Sequence, residues 1–244
     1  MIHPTAATGF ARAAGAYNRA RPEYPAGAIA WAAGRLGLGP ASVVVDLAAG
    51  TGKLTRGLTD LGFEVVAVEP VDEMRAALER AAPGARAVAG TAEAIPLPDD
   101  SADAVTVGQA FHWFDGPRAL AEIDRVLRPG GALALCWNRR DMGSPVHRAV
   151  SEIIEPHHRD EPRHRANAWR ASFAGEELEE AEFAFAVTQD ADALVDRVAS
   201  TSFVANLSDA ERARVLARVR EIAAAGPVRV PYVCEVQISR RRGA

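Results

Sequence analysis

The 244-residue chain has few of the sequence features that define disulfide-rich, metal-binding or membrane proteins. Its two cysteines, Cys136 and Cys234, lack C-x-x-C spacing and give neither a disulfide framework nor a metal site, so we expect buried thiols in a reducing compartment. No apolar run reaches about 18 residues, and no charged-then-apolar leader is found. Lysine is nearly absent although arginine is abundant, which we attribute to a GC-rich coding bias. A cytoplasmic protein without a membrane partner is therefore expected.

Excess positive charge is also lacking, because the formal net charge is −4. This balance argues against a general nucleic-acid surface, and we interpret the arginine run at 240–242 as a solvated chain end. A histidine-rich stretch invites a metal hypothesis, but its irregular, proline-rich sequence lacks the rigid spacing that zinc needs, so no metal is expected. That stretch contains His157, His158, Asp160, Glu161 and His164.

What the chain does have is a regular alternation of apolar runs and helical patterns. Strands are predicted at 43–47, 64–68, about 86–89, 103–107 and 132–137, and helices at 53–61, 71–82 and 117–127. This βαβ rhythm predicts a parallel sheet covered on both faces, with the ligand at the carboxyl ends of the strands. Farther along, we predict a strand at 181–187, helices at about 190–200 and 208–224, and a last strand at 228–238.

The first strand leads into the most informative stretch, residues 43–52 with the sequence VVVDLAAGTG. An apolar run that stops at an acid and turns through Gly50 and Gly52 lets backbone N–H groups approach a nucleotide-like ligand. Glu69 ends the second strand 17 residues past Gly52 (69 − 52). A carboxylate there can accept hydrogen bonds from both hydroxyls of a ribose, whereas it would repel a ribose 2′-phosphate.

Three ligand classes use glycine loops of this kind. The phosphate-binding P-loop requires a glycine at Leu47 and a hydroxyl residue at Leu54, so that hypothesis fails. A dinucleotide fingerprint requires a third glycine at Thr55, whose side chain would crowd the helix against the strand, so a nicotinamide-dependent oxidoreductase is weakened but stays open. The D-x-x-x-G-x-G pattern at 46–52 remains.

This pattern resembles motif I of class I S-adenosylmethionine-dependent methyltransferases, and at domain level the methyltransferase type 11 domain. The chain departs from the motif at Ala48, where the family most often has glycine; alanine is tolerated there if its φ is negative. Residues 90–103 are similar to the family's adenine-binding segment and 128–131 to the turn before its fifth strand. Residues 109–115 and 17–25 are similar to the small-molecule branch that includes trans-aconitate methyltransferase-like proteins.

The resemblance implies a Rossmann-like, doubly wound α/β fold: a mostly parallel seven-stranded sheet with an antiparallel edge hairpin. The chain 1–244 is then a single domain, with a cofactor-binding core at about 41–138 and an N-terminal lid at 1–40. A cap insertion follows at about 139–175, and C-terminal helices and edge strands at 176–244.

The implied activity is transfer of a methyl group from S-adenosyl-L-methionine, leaving S-adenosyl-L-homocysteine, to a small organic carboxylate, hydroxyl or amine. Nothing resembles the Asn/Asp-Pro-Pro-aromatic signature of nucleic-acid amino methylases, and a monomer or homodimer is expected. A non-catalytic binding module of the same fold stays an alternative. The expected cofactor-binding residues are Tyr17, Arg21, Asp46, Ala48, Gly50, Thr51, Gly52, Glu69, Pro70, Met74, Ala92, Glu93 and Gln109.

Substrate residues are expected after the fourth and fifth strands. His112 could be a general base or a hydrogen-bonding wall residue, and Phe111, Trp113 and Phe114 could be core aromatics or could face the sulfonium by cation–π attraction. Arg139 and Arg140 could bind a substrate carboxylate or face water. The expected substrate-binding residues are His112, Trp113, Arg139 and Arg140, with His112 as the catalytic candidate.

Overall fold

The computed structural model describes residues 21–158, 168–173 and 175–240. The helices are α1 (Ala26–Leu36), α2 (Lys53–Asp60), α3 (Asp72–Ala81), α4 (Gly116–Val126), α5 (Pro145–Ile154), α6 (Ala191–Ala199), α7 (Ser202–Ala205) and α8 (Asp209–Ile222). The strands are β1 (Val43–Leu47), β2 (Glu64–Val68), β3 (Arg86–Val88), β4 (Ala102–Gly108), β5 (Leu127–Arg140), β6 (Glu179–Gln189) and β7 (Val228–Arg240). Short 3₁₀ segments cover Phe111–Trp113, Glu155–His157 and Ala168–Phe173.

The seven strands form one sheet in the order β3-β2-β1-β4-β5-β7-β6. Strands β1 to β5 pair in parallel, whereas β7 lies antiparallel between β5 and β6. The sheet is therefore the doubly wound, mostly parallel sheet with an antiparallel edge that the sequence predicts. The strand order reverses between β1 and β4, and ligands of such sheets bind at the carboxyl ends of strands at that point.

Helices cover both faces because the central strands are apolar on both sides. In β1, Val44 packs against Ile29 and Leu54 of the α1 and α2 face, while the next residue, Val45, belongs to the opposite cluster that includes Ile123 of α4. Successive side chains of a strand point to opposite faces, so a continuous β-branched run supplies two cores.

A third apolar cluster joins α5, α6 and α8 through Val150, Leu194 and Val215. Helix α5 lies within 139–175, the region expected to form a cap insertion. In the described part of that region, α5 packs in this C-terminal cluster, and Trp169 and Phe173 belong to the core cluster that contains Trp137 of β5. Among the described residues, no helix combines the length and apolar character needed to cross a membrane.

Candidate functional site

The loop after β1 turns through three residues with positive φ: Ala48 at 55°, Gly50 at 59° and Gly52 at 84°. The condition of a negative φ at Ala48 is therefore not met. Glycine would adopt this conformation freely, whereas for alanine the left-handed region costs about 1–2 kcal/mol because Cβ approaches the carbonyl oxygen. Gly52 then starts α2, whose first N–H groups receive no side-chain cap.

Asp46, the acid at the end of β1, is fully buried beneath this loop. The hydroxyl of Thr55 donates to its Oδ2 at 2.5 Å, and Thr106, its register partner on β4, donates to Oδ1 at 3.3 Å. Burial raises the pKa of Asp46 to about 7, and the charge of Glu69 adds to that rise, while the two threonines oppose it. Thr55 therefore does not crowd the helix: it is accommodated in the interior by its bond to Asp46.

Glu69 is tied directly to the same loop. Its Oε2 accepts from the backbone N–H of Gly50 at 2.8 Å, and its Oε1 accepts from that of Val71 at 2.9 Å. The carboxylate is buried, and this burial raises its pKa above the ordinary value. A carboxylate has about four acceptor positions, so two remain for a ligand. Next to it, Met74 is buried below Gly50, with its sulfur 3.9 Å from where a Cβ on that glycine would lie.

A cleft of about 540 Å³, its open mouth included, lies at the carboxyl ends of β1, β4 and β5. Loop residues 48–51 form one wall, with Asp46 at the side. Gln109 forms another wall, held at a φ of 61° with its Nε2 donating to the carbonyl of Asn138 at 3.2 Å. The cleft thus combines the glycine loop with the residues that follow the fourth and fifth strands.

The segment 21–24 covers part of this cleft. Asn138 donates through Nδ2 to the carbonyls of Pro22 at 3.4 Å and Glu23 at 3.2 Å. The carboxylate of Glu23 pairs with Lys53 and with Arg56 of α2, each at 2.6 Å. Asn138 at the end of β5 and the two cations of α2 thereby fix the segment against the strand ends. Tyr17, expected in the same segment, lies outside the described residues.

Two arginines of the cleft come from opposite ends of the chain. Arg21 donates to Ser200 twice, from Nε to Oγ at 3.2 Å and from Nη2 to the carbonyl at 3.1 Å. Arg197 of α6 also lines the cleft. The sequence analysis did not identify Arg197 or Ser200, because nothing in a sequence of helical periodicity shows that a C-terminal helix ends at this cleft.

The expected adenine-binding residues lie outside the lining of this cleft. Ala92 is buried, and Glu93 accepts from the backbone N–H of Asp115 at 3.1 Å. Beside them, Glu122 of α4 accepts from the N–H of Ile95 at 2.9 Å, so two carboxylates fix this segment onto the region around α4.

His112 lies within the 3₁₀ segment after β4. Its ring centroid is 4.8 Å from that of Trp113 and 5.6 Å from that of Trp137, and it is not part of the cleft lining. Phe111 is buried and packs at 5.3 Å from Phe173, so it is a core aromatic. The half-buried Trp113 stays a candidate wall residue.

Arg139 does not reach the cleft. Because β5 continues to Arg140, Arg139 lies beside the neighbouring strands and pairs with Glu182 at 2.9 Å and Glu235 at 2.6 Å. Its charge is thus matched by two acids of the sheet, which favours a structural role over the two expected alternatives, binding a substrate carboxylate or facing water. Arg140 donates to the hydroxyl of Ser151 at 3.3 Å.

No cluster of three or more potential metal ligands is found in the described ranges. His157 lies in the short 3₁₀ segment after α5 and His158 follows it, packed edge-on against Phe203 at 5.1 Å. Asp160, Glu161 and His164 lie outside the described residues.

Comparison with known proteins adds independent evidence. A family model of the methyltransferase domain matches residues 45–135. An uncharacterised methyltransferase of Mycobacterium bovis is 43% identical over 234 residues, covering 92% of this chain and 92% of that relative. The chain belongs to the methyltransferase family.

A second relative of this methyltransferase, an uncharacterised methyltransferase-like protein of Schizosaccharomyces pombe, is 37% identical over 211 residues, covering 85% of this chain and 82% of the relative. A solved structure assigned as a type II methyltransferase from Anaeromyxobacter dehalogenans superposes with a TM-score of 0.70 at 24% identity, covering 92% of this chain and 99% of the other, and shows the shared fold. The domain match begins within β1 and ends within β5, so Arg21, Arg197 and Ser200 lie beyond it.

Proposed function

We propose that this methyltransferase binds S-adenosyl-L-methionine in the cleft and methylates a small organic acceptor. The observation that carries this proposal is the bond between Glu69 and the N–H of Gly50, because it joins a ribose-binding acid to the glycine loop in one rigid unit. Two acceptor positions of the Glu69 carboxylate remain for the ribose hydroxyls. A side chain at Gly50 or Gly52 would be strained at their positive φ, so the loop keeps its backbone open to a ligand.

The other cofactor contacts that we propose follow the loop and the strand ends. Asp46 is a buried acid beside the cleft, and its ionised form would stabilise a bound cationic ligand. Gln109 and Arg21 line the same cleft, and Thr51 contributes to its loop wall. Further residues complete the set on the strength of the family resemblance: Tyr17, Ala48, Pro70, Met74, Ala92 and Glu93.

When bound, the cofactor would supply a sulfonium methyl group that is already strongly electrophilic. The protein's task is then chiefly to hold a nucleophile in line at about 3–3.5 Å and to exclude water, an effect worth roughly 7–11 kcal/mol. The segment 21–24, fixed by Asn138 and Lys53, is placed to exclude water from the cleft. Positioning by these residues is the main catalytic contribution that we infer.

A general base is required only for some acceptors. A carboxylate is ionised at neutral pH and needs none, whereas a phenol or an amine benefits from one. We keep His112 as the candidate base for that second class, with Trp113 and Arg140 as candidate acceptor contacts. Because His112 lies in tilted contact with Trp113 and Trp137 and is not part of the cleft lining, a carboxylate acceptor is the simpler assignment.

Calorimetric titration with S-adenosylmethionine, S-adenosylhomocysteine and NAD tests the proposal, and mass spectrometry of reactions with small acids, phenols and amines follows it. We expect binding of the first two ligands and a product one methyl group heavier. Glu69→Gln should weaken S-adenosylhomocysteine binding about tenfold or more, because a charge-assisted bond to the ribose contributes about 1.5–3 kcal/mol. Glutamine keeps one of the two acceptor oxygens, so either the N–H of Gly50 or that of Val71 loses its bond, and circular dichroism checks that the variant folds.

The matched control is Glu73→Gln, which neutralises an exposed acid of α3 and should leave binding unchanged. Preference for NAD, or equal affinity of wild type and Glu69→Gln, would overturn the proposed cofactor site. Binding of S-adenosylhomocysteine without product from any acceptor class would favour a non-catalytic binding module.

A further inference from the structure

Arg197 is an arginine of the cleft whose charge is not matched by any residue that the structure describes. Among the described residues, Arg197 forms no ion pair, and its Nε is buried without a hydrogen-bond partner. Other arginines of the fold behave differently: Arg128 pairs with Asp103 at 2.7 Å, and Arg220 of α8 pairs with Asp192 at 2.7 Å. A buried, unsatisfied guanidinium donor is costly, so Arg197 is suited to an anionic ligand that supplies the missing acceptor.

Arg21 is held beside Arg197 by a shared residue. The hydroxyl of Ser200 accepts from Nε of Arg21 at 3.2 Å and donates to the carbonyl of Arg197 at 2.8 Å. Ser200 is 1% exposed, so these bonds are shielded from water. Both arginines therefore line one cleft, with the guanidinium of Arg21 and the backbone of Arg197 held by the same residue, which reduces the entropy lost when a ligand is bound.

The surroundings leave this end of the cleft positive. His147 lies behind it, bonded through Nε2 to the carbonyl of Pro231 at 2.7 Å. The pKa of His147 is lowered to about 4, chiefly by burial and in addition by the charges of Arg140 and Arg197, against the opposing bond to Pro231 and the charge of Asp141. His147 is thus neutral at physiological pH.

The remaining charges of the lining are engaged elsewhere. Lys53 pairs with Glu23, and the acid Asp46 is bound by Thr55 and Thr106. Within the described residues, Asp46 is the only acid that lines the cleft; burial raises its pKa to about 7, and its two oxygens accept from Thr55 and Thr106. In the described part of the lining, no other carboxylate competes for Arg197.

We propose that Arg197, which Ser200 holds beside Arg21, forms the subsite for a carboxylate of the methyl acceptor, so that the substrate class of this cleft is a small organic acid. The inference rests on the proposed function, because it places the acid beside the loop that would hold the cofactor. A guanidinium offers a planar fork of donors that matches a carboxylate in two parallel bonds. With the cofactor bound, a second carboxylate of a polyacid would remain as the ionised nucleophile: its oxygen would gain the methyl group as the S–CH₃ bond breaks, and the electron pair would stay on the sulfur of S-adenosyl-L-homocysteine, which leaves.

A carboxylate could come from the acceptor or from the amino-acid end of the cofactor. Calorimetry separates the two sources with S-adenosylhomocysteine, which carries that carboxylate, and 5′-methylthioadenosine, which lacks it. Both are titrated into wild type and Arg197→Gln. We expect the substitution to change both affinities less than about twofold, since a lost charge-assisted pair would cost about tenfold or more.

The acceptor arm uses succinate and tricarballylate, each compared with its neutral amide, at low salt so that screening is small. These probes are titrated into wild-type protein with and without S-adenosylhomocysteine. We expect at least one acid to bind about tenfold more tightly than its amide, Arg197→Gln to abolish this preference, and Arg197→Lys to restore part of it. Arg220→Gln, which removes an exposed arginine of α8, is the control and should behave as wild type.

Three results would overturn the inference: acids that bind no better than amides, an Arg197→Gln variant that binds the acids like wild type, or a loss confined to S-adenosylhomocysteine. The last would assign Arg197 to the cofactor. Failure of wild type to bind S-adenosylhomocysteine would instead contradict the proposed function, and the acid titrations without that ligand would still decide whether the subsite exists.

Discussion

At the scale of single residues, strained backbone conformations are concentrated at the cleft. Four non-glycine residues of the described chain have positive φ, and two of them, Ala48 at 55° and Gln109 at 61°, line it. Such residues cost of order 1–3 kcal/mol and persist only where the surrounding structure holds them. At Gln109 the holding bonds are the backbone N–H to the carbonyl of Cys136 and Nε2 to that of Asn138.

Ala48→Gly should stabilise the protein by about 0.5–1 kcal/mol, as measured by urea unfolding. Relief of the left-handed strain contributes about 1–2 kcal/mol, and the greater freedom of glycine in the unfolded chain offsets about half of it. Ala49→Gly is the matched control, because Ala49 is not among the residues with positive φ. Ala49→Gly should lower the free energy of unfolding by a similar amount. If Ala48→Gly lowered that free energy equally, the assigned conformation of the loop would be contradicted.

The raised pKa of Asp46 predicts a pH dependence of stability. Its pKa is about 7 in the folded protein and about 3.9 in an unfolded chain. Between those values the folded state binds more protons, so the free energy of unfolding falls as pH rises from about 4 to 7. Asp46→Asn should therefore gain stability relative to wild type on going from pH 5 to pH 8, by of order 1–4 kcal/mol.

Urea unfolding at the two pH values measures this difference. Other groups with raised pKa, such as Glu69, are present in both proteins and largely cancel. The control is Asp72→Asn, an exposed acid of α3, which should follow the wild-type profile. If the stability of Asp46→Asn also followed the wild-type profile, Asp46 would be ionised throughout the range from pH 5 to pH 8, and its pKa would not be raised.

At the scale of elements, close packing fixes the segment 21–24 onto β4. A Cβ on Gly108 would lie 2.5 Å from the Oη of Tyr24 and 3.1 Å from its Cζ. Gly108→Ala should therefore displace the tyrosine, cost about 1–3 kcal/mol, and weaken S-adenosylhomocysteine binding by opening the cleft to water. Urea unfolding and calorimetry measure the two effects.

Gly34→Ala provides the comparison, because a Cβ at this position of α1 meets no atom within 4 Å. Alanine is favoured over glycine inside a helix by about 0.5–1 kcal/mol, so this variant should be at least as stable as wild type and bind normally. A Gly108→Ala variant that behaves the same way would show that the segment does not close on β4.

The elements that the sequence predicts best are those with strong local signals. The β-branched runs at 43–47 and 64–68 are confirmed to the residue as β1 and β2, because burial on both faces leaves an unbroken apolar pattern. The sequence analysis does not predict α5, although two signals for this helix are present. Ser144-Pro145 is a start signal, and Val150, Ile153 and Ile154 form an apolar helical face. The surrounding arginines, histidines and prolines obscured that face.

At the scale of the whole molecule, the cleft joins three parts of the chain that are distant in sequence. The glycine loop and Glu69 could be found from the sequence because they follow two predicted strands. Arg21 and Ser200 are separated by 179 residues, and no local pattern shows that they meet. The same limit applied to Arg139, whose partners Glu182 and Glu235 are brought beside it only by the antiparallel strands β6 and β7.

Ser200 is the residue through which the two ends of the chain are coupled. Ser200→Ala removes the hydroxyl that accepts from Arg21 and donates to the carbonyl of Arg197, with a net cost of about 1–3 kcal/mol for two buried hydrogen bonds. We expect faster amide hydrogen exchange at 21–25 and along α6, because these two places can open locally without breaking the bonds to the Ser200 hydroxyl. Exchange in the central strands should be unchanged. Ser239→Ala is the control: it removes a hydroxyl of β7 that donates to Glu176, and it should not alter exchange at 21–25 or along α6. Equal exchange in wild type and Ser200→Ala would show that the N-terminal segment and the C-terminal helices close the cleft independently.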